Sequence, residues 1–258
     1  MSPGRAPVTV VIAAHNESAN IEPCLASVNW AAEAIVVENN STDDTAERAR
    51  GVGAKVISPP FSTIGHARNA AIEIATHPWI LVLDADERCT PELAEELRSL
   101  AAMGIGPKAY RIPRRNFFLD REIRHGGWER DKPVRFFSRS LRYDDKRVHE
   151  GVRLNGTIGE TRGTLLHYTY VSLESYFEKL IRYSRDWAEQ NFANGRRTGF
   201  WSVVLRGRLR FVSMYLLKGG FLDGAHGLIL ARLAEESVLA KYARLWEMTL
   251  KERASTGR

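Results

Sequence analysis

The chain has 258 residues, of which 44% are hydrophobic and 26% charged, proportions ordinary for a folded protein and enough for one α/β domain with or without an appendage. Two cysteines, Cys24 and Cys89, are too few for a disulfide framework and fit a reducing compartment. The net charge of +6 suits a phosphorylated substrate or anionic lipid; without zinc spacing, an Arg/Gly tract or an aromatic RNA-binding signature, a nucleic-acid partner is excluded.

The first hundred residues alternate between two patterns. Val8–Ala14 is a continuous β-branched apolar run, as expected of a strand buried on both faces. The apolar run ends at His15-Asn16-Glu17 with no small-residue cleavage site after it, so no signal peptide is expected, and no stretch approaches the roughly 18 uncharged residues of a spanning helix. Helical spacing follows over Ile21–Val28. Ala34–Val37 is the second strand. Asp43–Arg50 is a helix capped by Ser41-Thr42 and closed by Gly51. Ala54–Ile57 is the third strand, stopped by Pro59-Pro60. Gly65–Thr76 is a helix, Trp79–Leu83 the fourth strand, and Pro91–Met103 a helix with proline in its first turn. Such alternation predicts a mostly parallel sheet flanked by helices, with ligands beyond the carboxyl ends of the strands. Three strand ends carry polar clusters that should meet in one crevice: His15-Asn16-Glu17, Glu38-Asn39-Asn40-Ser41 and Asp84-Ala85-Asp86.

Between 108 and 170 the helical period stops. Short β-like runs cover Tyr110–Phe118, Val134–Phe137, Val148–Leu154 and Gly163–Tyr170, crowded with arginine and aromatic residues. From Ser172 onward the pattern is helical, over Leu173–Asn194, Phe200–Leu217 and Ala225–Leu250, with Gly219-Gly220 between the last two. The expected organisation is a catalytic domain over 1–170, with a donor half at 1–107 and an acceptor half at 108–170, then a helical region over 171–258.

The run Trp79-Ile-Leu-Val-Leu-Asp-Ala-Asp-Glu87 is the most informative in the chain. Carboxylates at i and i+2 of an extended segment share one face. Two hard oxygen ligands at the open end of a buried strand suit a divalent cation holding a diphosphate. A plain strand followed by an acidic helix start, with Asp86 or Thr90 as cap, is the other reading.

Four ordered motifs, Val10–Glu17, Val36–Asp43, Gly65-His66-Ala67-Arg68-Asn69 and Leu83–Glu87, resemble family-two glycosyltransferases of the GT-A fold. Arg114-Arg115-Asn116, His125-Gly126-Gly127-Trp128, Val148-His149-Glu150 and Leu166–Tyr170 resemble the branch that holds the lipopolysaccharide core heptose glucosyltransferases. The resemblance runs from about Val8 to Gly224. It implies an inverting hexosyltransferase that moves a hexose, glucose from UDP-glucose, to a lipid-linked core oligosaccharide. It places the donor against Ala13, His15, Glu17, Glu38, Arg68, Asn69 and Asp84. It makes Asp84, Asp86 and His167 the ligands of Mn2+ or Mg2+, the metal offsetting charge on the leaving diphosphate. Glu150 is implied as the base that takes the acceptor proton, with Asp131 as the alternative. Trp128, Gly127, Arg135 and His149 fall on the acceptor side.

Each assignment has a plainer counterpart. Asn16 and Glu17 read equally as helix caps, Glu38 as part of a polar loop, and Arg68 and Asn69 as a solvated helix face. His167 reads as a half-buried strand histidine, Glu150 as one of a charge pair, and Trp128 as a core residue. Asn39 and Asn40 stand where the family commonly has Asp and Gly. A binding protein for nucleotide sugars without turnover, or a transferase acting on a polyprenyl phosphate or capsule intermediate, remain the rival readings. A Rossmann dinucleotide enzyme is disfavoured, because no Gly-x-Gly-x-x-Gly follows the first strand.

From Gly195 to Leu222 the chain has no acidic residue, while Arg196, Arg197, Arg206, Arg208, Arg210 and Lys218 are interleaved with aromatics. Such a segment suits the surface of an anionic bilayer, or else a helix packed on the catalytic domain. The expected setting is cytoplasmic, peripheral on the inner face of a bacterial membrane, with the oligomeric state left open.

Overall fold

A computed structural model describes residues 4–58, 61, 63–103, 106–144, 151–154 and 156–255. It divides into two compact units. The first comprises residues up to Arg115 together with Arg130–His167; the second comprises Asn116–Glu129 and Tyr168–Arg258.

The first unit is built on a seven-stranded sheet. Its strands are β1 (Ala6–Ala14), β2 (Ala31–Glu38), β3 (Lys55–Ile57), β4 (Trp79–Asp84), β6 (Ala109–Arg111), β9 (Val134–Ser138) and β10 (Ile158–Glu160), in the order β10-β6-β9-β4-β1-β2-β3. The helices are α1 (Ser18–Ala26), α2 (Thr45–Gly51), α3 (Ile64–Ile74) and α4 (Pro91–Met103). Alternation along β1 explains the three layers. Val8, Val10 and Ile12 pack with Ile21 and Leu25 of α1, Ala49 of α2 and Leu93 and Leu97 of α4. Val11 turns the other way and joins Ile35, Val37, Ile80 and Val82 with Ala67, Ala71 and Ile72 of α3. Burial of each such branched side chain is worth about 1.5–3 kcal/mol, so the central strands have no alternative register that keeps both faces dry.

β1 pairs in parallel with β2 and β4, as the alternation predicts. β9 is antiparallel to both β4 and β6. The parallel expectation therefore holds for the first four strands and again where β10 pairs with β6, while β9 runs antiparallel between β4 and β6; among the described residues of the first unit no α-helix follows α4. The run expected over 110–118 splits at Ile112-Pro113 into β6 and β7 (Arg114–Phe118), because proline lacks the N–H a continuous strand would donate. Three-residue β5 (Glu87–Cys89) pairs antiparallel with the start of β11 (Leu165–Tyr170), and no sequence signal marked it as a strand. Of the run expected over 148–154, residues 148–150 lie outside the described residues, and Val152 bridges Tyr143.

α2 starts at Thr45 and is not capped by Ser41-Thr42. Asp43 accepts from the Thr45 N–H at 3.1 Å instead. The Ser41 N–H donates to Glu38 and the Thr42 N–H to Asn16, so both residues belong to the loop.

The second unit is helical: α5 (Leu173–Ala193), α6 (Phe200–Phe211) and α7 (Gly224–Ser255). The expected helix over 200–217 changes to a π-helical turn over Val212–Leu217, followed by a 3-10 turn at Gly220–Asp223. This turn packs against the start of α7. A Cβ on Gly227 would lie 1.9 Å from the Gly220 carbonyl oxygen, so glycine there is a packing requirement. Asn116–Glu129 joins this unit through Asp223. That buried carboxylate accepts from the backbone N–H of His125 at 2.9 Å and of Arg124 at 3.3 Å, and faces His125 Nδ1 at 3.1 Å. Phe118 and Ile123, on β7 and β8 (Arg121–Ile123), complete a small core with Met214, Leu230 and Ala231.

Candidate functional site

The β4 strand ends where its neighbours end. Ala13 of β1 lies between Val37 of β2 and Asp84 of β4, and Ala14 pairs with Glu38. The three polar clusters therefore meet at one edge of the sheet, as expected of a parallel arrangement.

Asp84 is the centre of this edge. Three guanidinium groups from separate elements converge on it. Arg68 of α3 donates to Oδ1 at 2.6 Å, Arg135 of β9 donates to Oδ2, and Arg114 of β7 lies 3.5 Å from Oδ2. Fully buried Glu87 completes the network. Its carboxylate accepts from the Asp84 N–H at 2.8 Å, and it faces Arg114 at 2.7 Å and Arg135 at 3.1 Å. Glu87 thus fixes the turn that follows β4 while neutralising two of the arginines. Arg88 donates to the carbonyls of Ala85 and Glu87 and to Asn20 of α1, clamping the same turn from outside. Burial works to raise the Asp84 pKa, but Arg135, Arg68 and Arg114 outweigh it and hold the carboxyl well below the usual range. Burial likewise works against the Arg135 charge, and Asp84 and Glu87 override it. The Asp84 side chain keeps 34% exposure, so this locked anion still faces solvent.

Both oxygens of Asp84 are engaged by arginine, which leaves Asp86 and His167 as the remaining expected metal ligands. Asp86 Oδ1 and His167 Nε2 stand 3.6 Å apart, both mostly buried. A carboxylate and an imidazole converging at that distance fit a divalent cation that takes its other ligands from substrate and water. No preformed cage of three or more His, Cys, Asp or Glu side chains exists among the described residues.

The loops after β1 and β2 are tied together. His15 Nδ1 lies 2.7 Å from the Asn39 carbonyl oxygen, the Asn16 N–H donates to Ser41, the Glu17 N–H donates to Thr45, and the Ser18 N–H donates to Asp43. Asn16 and Asn40 both adopt positive φ, 55° and 57°, conformations that asparagine tolerates better than most residues. Glu17 also accepts from Asn20, and Glu38 is buried against Ser41. Asn69 exchanges two hydrogen bonds with the Tyr143 backbone, at 2.9 and 3.1 Å, and Arg68 lies 5.2 Å over the Tyr143 ring. Asn69 therefore holds the 143 segment, while Arg68 reaches the strand end.

Of the two expected bases, Glu150 lies outside the described residues, as does His149. Asp131 is described: its carboxylate is 39% exposed and pairs with Arg114 at 3.2 Å, which links it to the Asp84 network. Arg135, expected to face an anionic acceptor, is buried with its guanidinium committed to Asp84 and Glu87. Trp128 and Gly127 lie in the second unit. Trp128 accepts through its carbonyl from Asn116 at 3.0 Å. Gly127 has φ of 94°, with the Lys218 side chain 3.0 Å from where a Cβ would stand.

Residues 9–150 match the family model for glycosyl transferase family 2. The chain belongs to this family. It is 27% identical to the lipopolysaccharide core biosynthesis glycosyltransferase LpsC of Rhizobium meliloti (strain 1021), over 92% of this chain and 93% of that one. It is 26% identical to the uncharacterized glycosyltransferase RT0209 of Rickettsia typhi, over 95% and 89% respectively. A solved structure, glucosyl-3-phosphoglycerate synthase from Mycobacterium tuberculosis with Mn2+, UDP and glucosyl-3-phosphoglycerate, is 28% identical over 43% of this chain and 45% of that one, with a TM-score of 0.38.

This family 2 glycosyltransferase carries two residues at the site whose role sequence reasoning missed. Glu87 was legible only as the tail of the acidic motif, and Arg114 only as part of the Arg114-Arg115-Asn116 motif in the acceptor half, not as a partner of Asp84. The available signal was the excess of acid itself: Asp84, Asp86 and Glu87 fall within four residues, and such density at a buried strand end demands cations from elsewhere in the chain.

Proposed function

We propose that the chain transfers a hexose, glucose from UDP-glucose, with inversion to an inner-core lipopolysaccharide or related lipid-linked acceptor. One observation carries the reading: a carboxylate at the carboxyl end of β4, locked as an anion by three arginines, beside a convergent Asp86–His167 pair. Full-length similarity to a lipopolysaccharide core enzyme supports the acceptor class.

In this reading Ala13, His15, Glu17 and Glu38 border the nucleoside, and Asp84 accepts from the donor ribose. Asp86 and His167 hold Mn2+ or Mg2+, which when bound supplies positive charge to the diphosphate oxygens. Glu150 or Asp131 removes the proton from the acceptor hydroxyl. The acceptor oxygen forms the new bond to the anomeric carbon from the face opposite the diphosphate. The old carbon–oxygen bond breaks and its electrons leave with the nucleoside diphosphate. The preorganised arginines and Glu87 keep Asp84 and the turn after it from reorganising as charge builds. Trp128 and Gly127 border the acceptor.

No helix among the described residues is long and apolar enough to cross a membrane. Exposed Trp201, Leu209 and Leu217, at 70%, 65% and 79%, stand among the arginines of the second unit and support peripheral contact with anionic lipid. The deciding experiment screens nucleotide sugars with the purified chain, with and without Mn2+, and follows release of nucleoside diphosphate and transfer to a delipidated core acceptor by mass spectrometry. Metal-dependent turnover of UDP-glucose, lowered at least a hundredfold in Asp86→Asn, is expected. Full activity in chelator-treated protein would remove the metal, and transfer to polyprenyl phosphate alone would reassign the acceptor.

A further inference from the structure

A cavity of about 210 Å3 lies within the helical unit, between α5, the π-helical turn and α7. Its floor is apolar, with Met214 and Leu230 each only 2% exposed. Tyr176 and Tyr183 of α5 form one wall. Arg210 and Lys241 line it as well, one on α6 and one on α7.

The two cations are set apart from the basic residues around them. Arg208 pairs with Glu235 at 3.3 Å, Arg232 pairs with Glu235 at 2.9 Å, and Arg206 stacks 4.9 Å over the Tyr242 ring. Among the described residues, neither Arg210 nor Lys241 has a carboxylate, a hydrogen-bond acceptor or an aromatic face as partner. Burial first, and then the like charge of Arg210, push Lys241 below the ordinary ammonium range. Two neighbouring cations at an aromatic cavity, one of them half-buried, are a costly arrangement in the absence of an anion. The stretch from Gly195 to Leu222 has no acidic residue, and of the acids on α7 near the cavity Glu235 is taken by Arg208 and Arg232 while Glu236 acts on Tyr176 and has no ion pair with either cation.

We propose that Arg210 and Lys241 bind the phosphate of an anionic lipid headgroup, whose first carbons enter the cavity both residues line. A phosphate oxygen accepts from the Arg210 fork while another accepts from the Lys241 ammonium. A water's share of liquid volume is about 30 Å3, so the cavity holds the equivalent of several waters, the scale of a phosphate ester with its first carbons. Phe177 and Ile181 on α5, Leu209 on α6 and Leu216 of the π-helical turn are exposed apolar side chains of the same unit. The proposal rests on the membrane-facing reading of this unit and is independent of the transfer reaction.

The test is flotation of the full chain with phosphatidylcholine vesicles containing phosphatidic acid, using Arg210→Gln, Lys241→Gln and the control Arg206→Gln. Arg206 is on the same helix and does not line the cavity. Loss of one surface charge weakens binding about fivefold, whereas loss of a charge-assisted hydrogen bond weakens it about thirtyfold. The expected order is therefore a small loss in Arg206→Gln and a loss several times larger in each cavity variant. Removing a half-buried, unpartnered cation should leave the lipid-free melting temperature unchanged or raised, which separates lost binding from lost folding. Soluble dihexanoyl phosphatidic acid should displace the vesicles at concentrations where inorganic phosphate does not. Equal losses in all three variants, wild-type binding in either cavity variant, or equal competition by inorganic phosphate overturns the proposal. A chain that transfers no sugar yet shows the expected order sinks the transfer reading alone; one that transfers sugar and binds lipid equally in all variants sinks this one alone.

Discussion

At the scale of single residues, the site is organised by charge burial more than by ligand geometry. Glu87 is wholly buried and Arg135 nearly so, and each is tolerable because it is paired, Glu87 with Arg114 and Arg135, Arg135 with Asp84 and Glu87. Replacing Arg135 by Met keeps the volume of the stem and removes the charge. Glu87 retains Arg114, and Asp84 is part-exposed, so the cost belongs at the lower end for a broken buried pair, about 3 kcal/mol. Urea denaturation checks this, with Arg135→Lys expected to recover part of the loss because it restores charge without the planar fork. Donor binding should weaken in both variants, since Asp84 loses the Arg135 side of its clamp. None of this pairing was legible in the sequence. Asp84 and Asp86 announce themselves by spacing, and Arg68 and Arg135 were expected at the donor and the acceptor, but nothing in the sequence ties Arg68, Arg114 and Arg135, 16 to 51 residues away, to Asp84 until the sheet brings them together.

At the scale of elements, legibility followed how local the cause was. The strands β1, β2 and β4 are apolar runs buried on both faces, and each lies where the sequence placed it to within a few residues. β5 was invisible, because Glu87-Arg88-Cys89 has no strand pattern and exists as a strand only through its pairing with Leu165–His167. The attachment of Asn116–Glu129 to the helical unit was equally hidden, since it depends on Asp223, about a hundred residues away. The π-helical turn and the glycines after it belong to the same category. Gly219-Gly220 read as a break between helices and nothing singled out Gly227, yet the contact of Gly220 with Gly227 sets how closely α7 approaches the turn. Gly227→Ala should destabilise the chain by about 1–3 kcal/mol, because the added methyl meets a backbone carbonyl that cannot rotate away. Thermal melting reads this directly. Gly51→Ala, where a Cβ would meet nothing within 4 Å, should not show the same loss.

At the scale of the whole molecule, the two units carry different physics. The first presents a charge-compensated site at the carboxyl ends of parallel strands, where salt has little access to the buried pairs. The second carries exposed apolar side chains among arginines in a stretch without acid, and the chain as a whole has a net charge of +6. Attraction of that kind to an anionic bilayer falls off within a Debye length, about 10 Å at 0.1 M salt and about 3 Å at 1 M. Donor hydrolysis without acceptor and transfer to a vesicle-embedded acceptor should therefore respond differently to salt. Hydrolysis of the nucleotide sugar should change little between low and high salt, because it depends on the first unit alone. Transfer to an acceptor held in anionic vesicles should fall about tenfold or more over the same range, and recover when the acceptor is presented delipidated in solution. Parallel decline of both reactions would place the salt-sensitive step at the donor site and leave the helical unit without a role in reaching the acceptor.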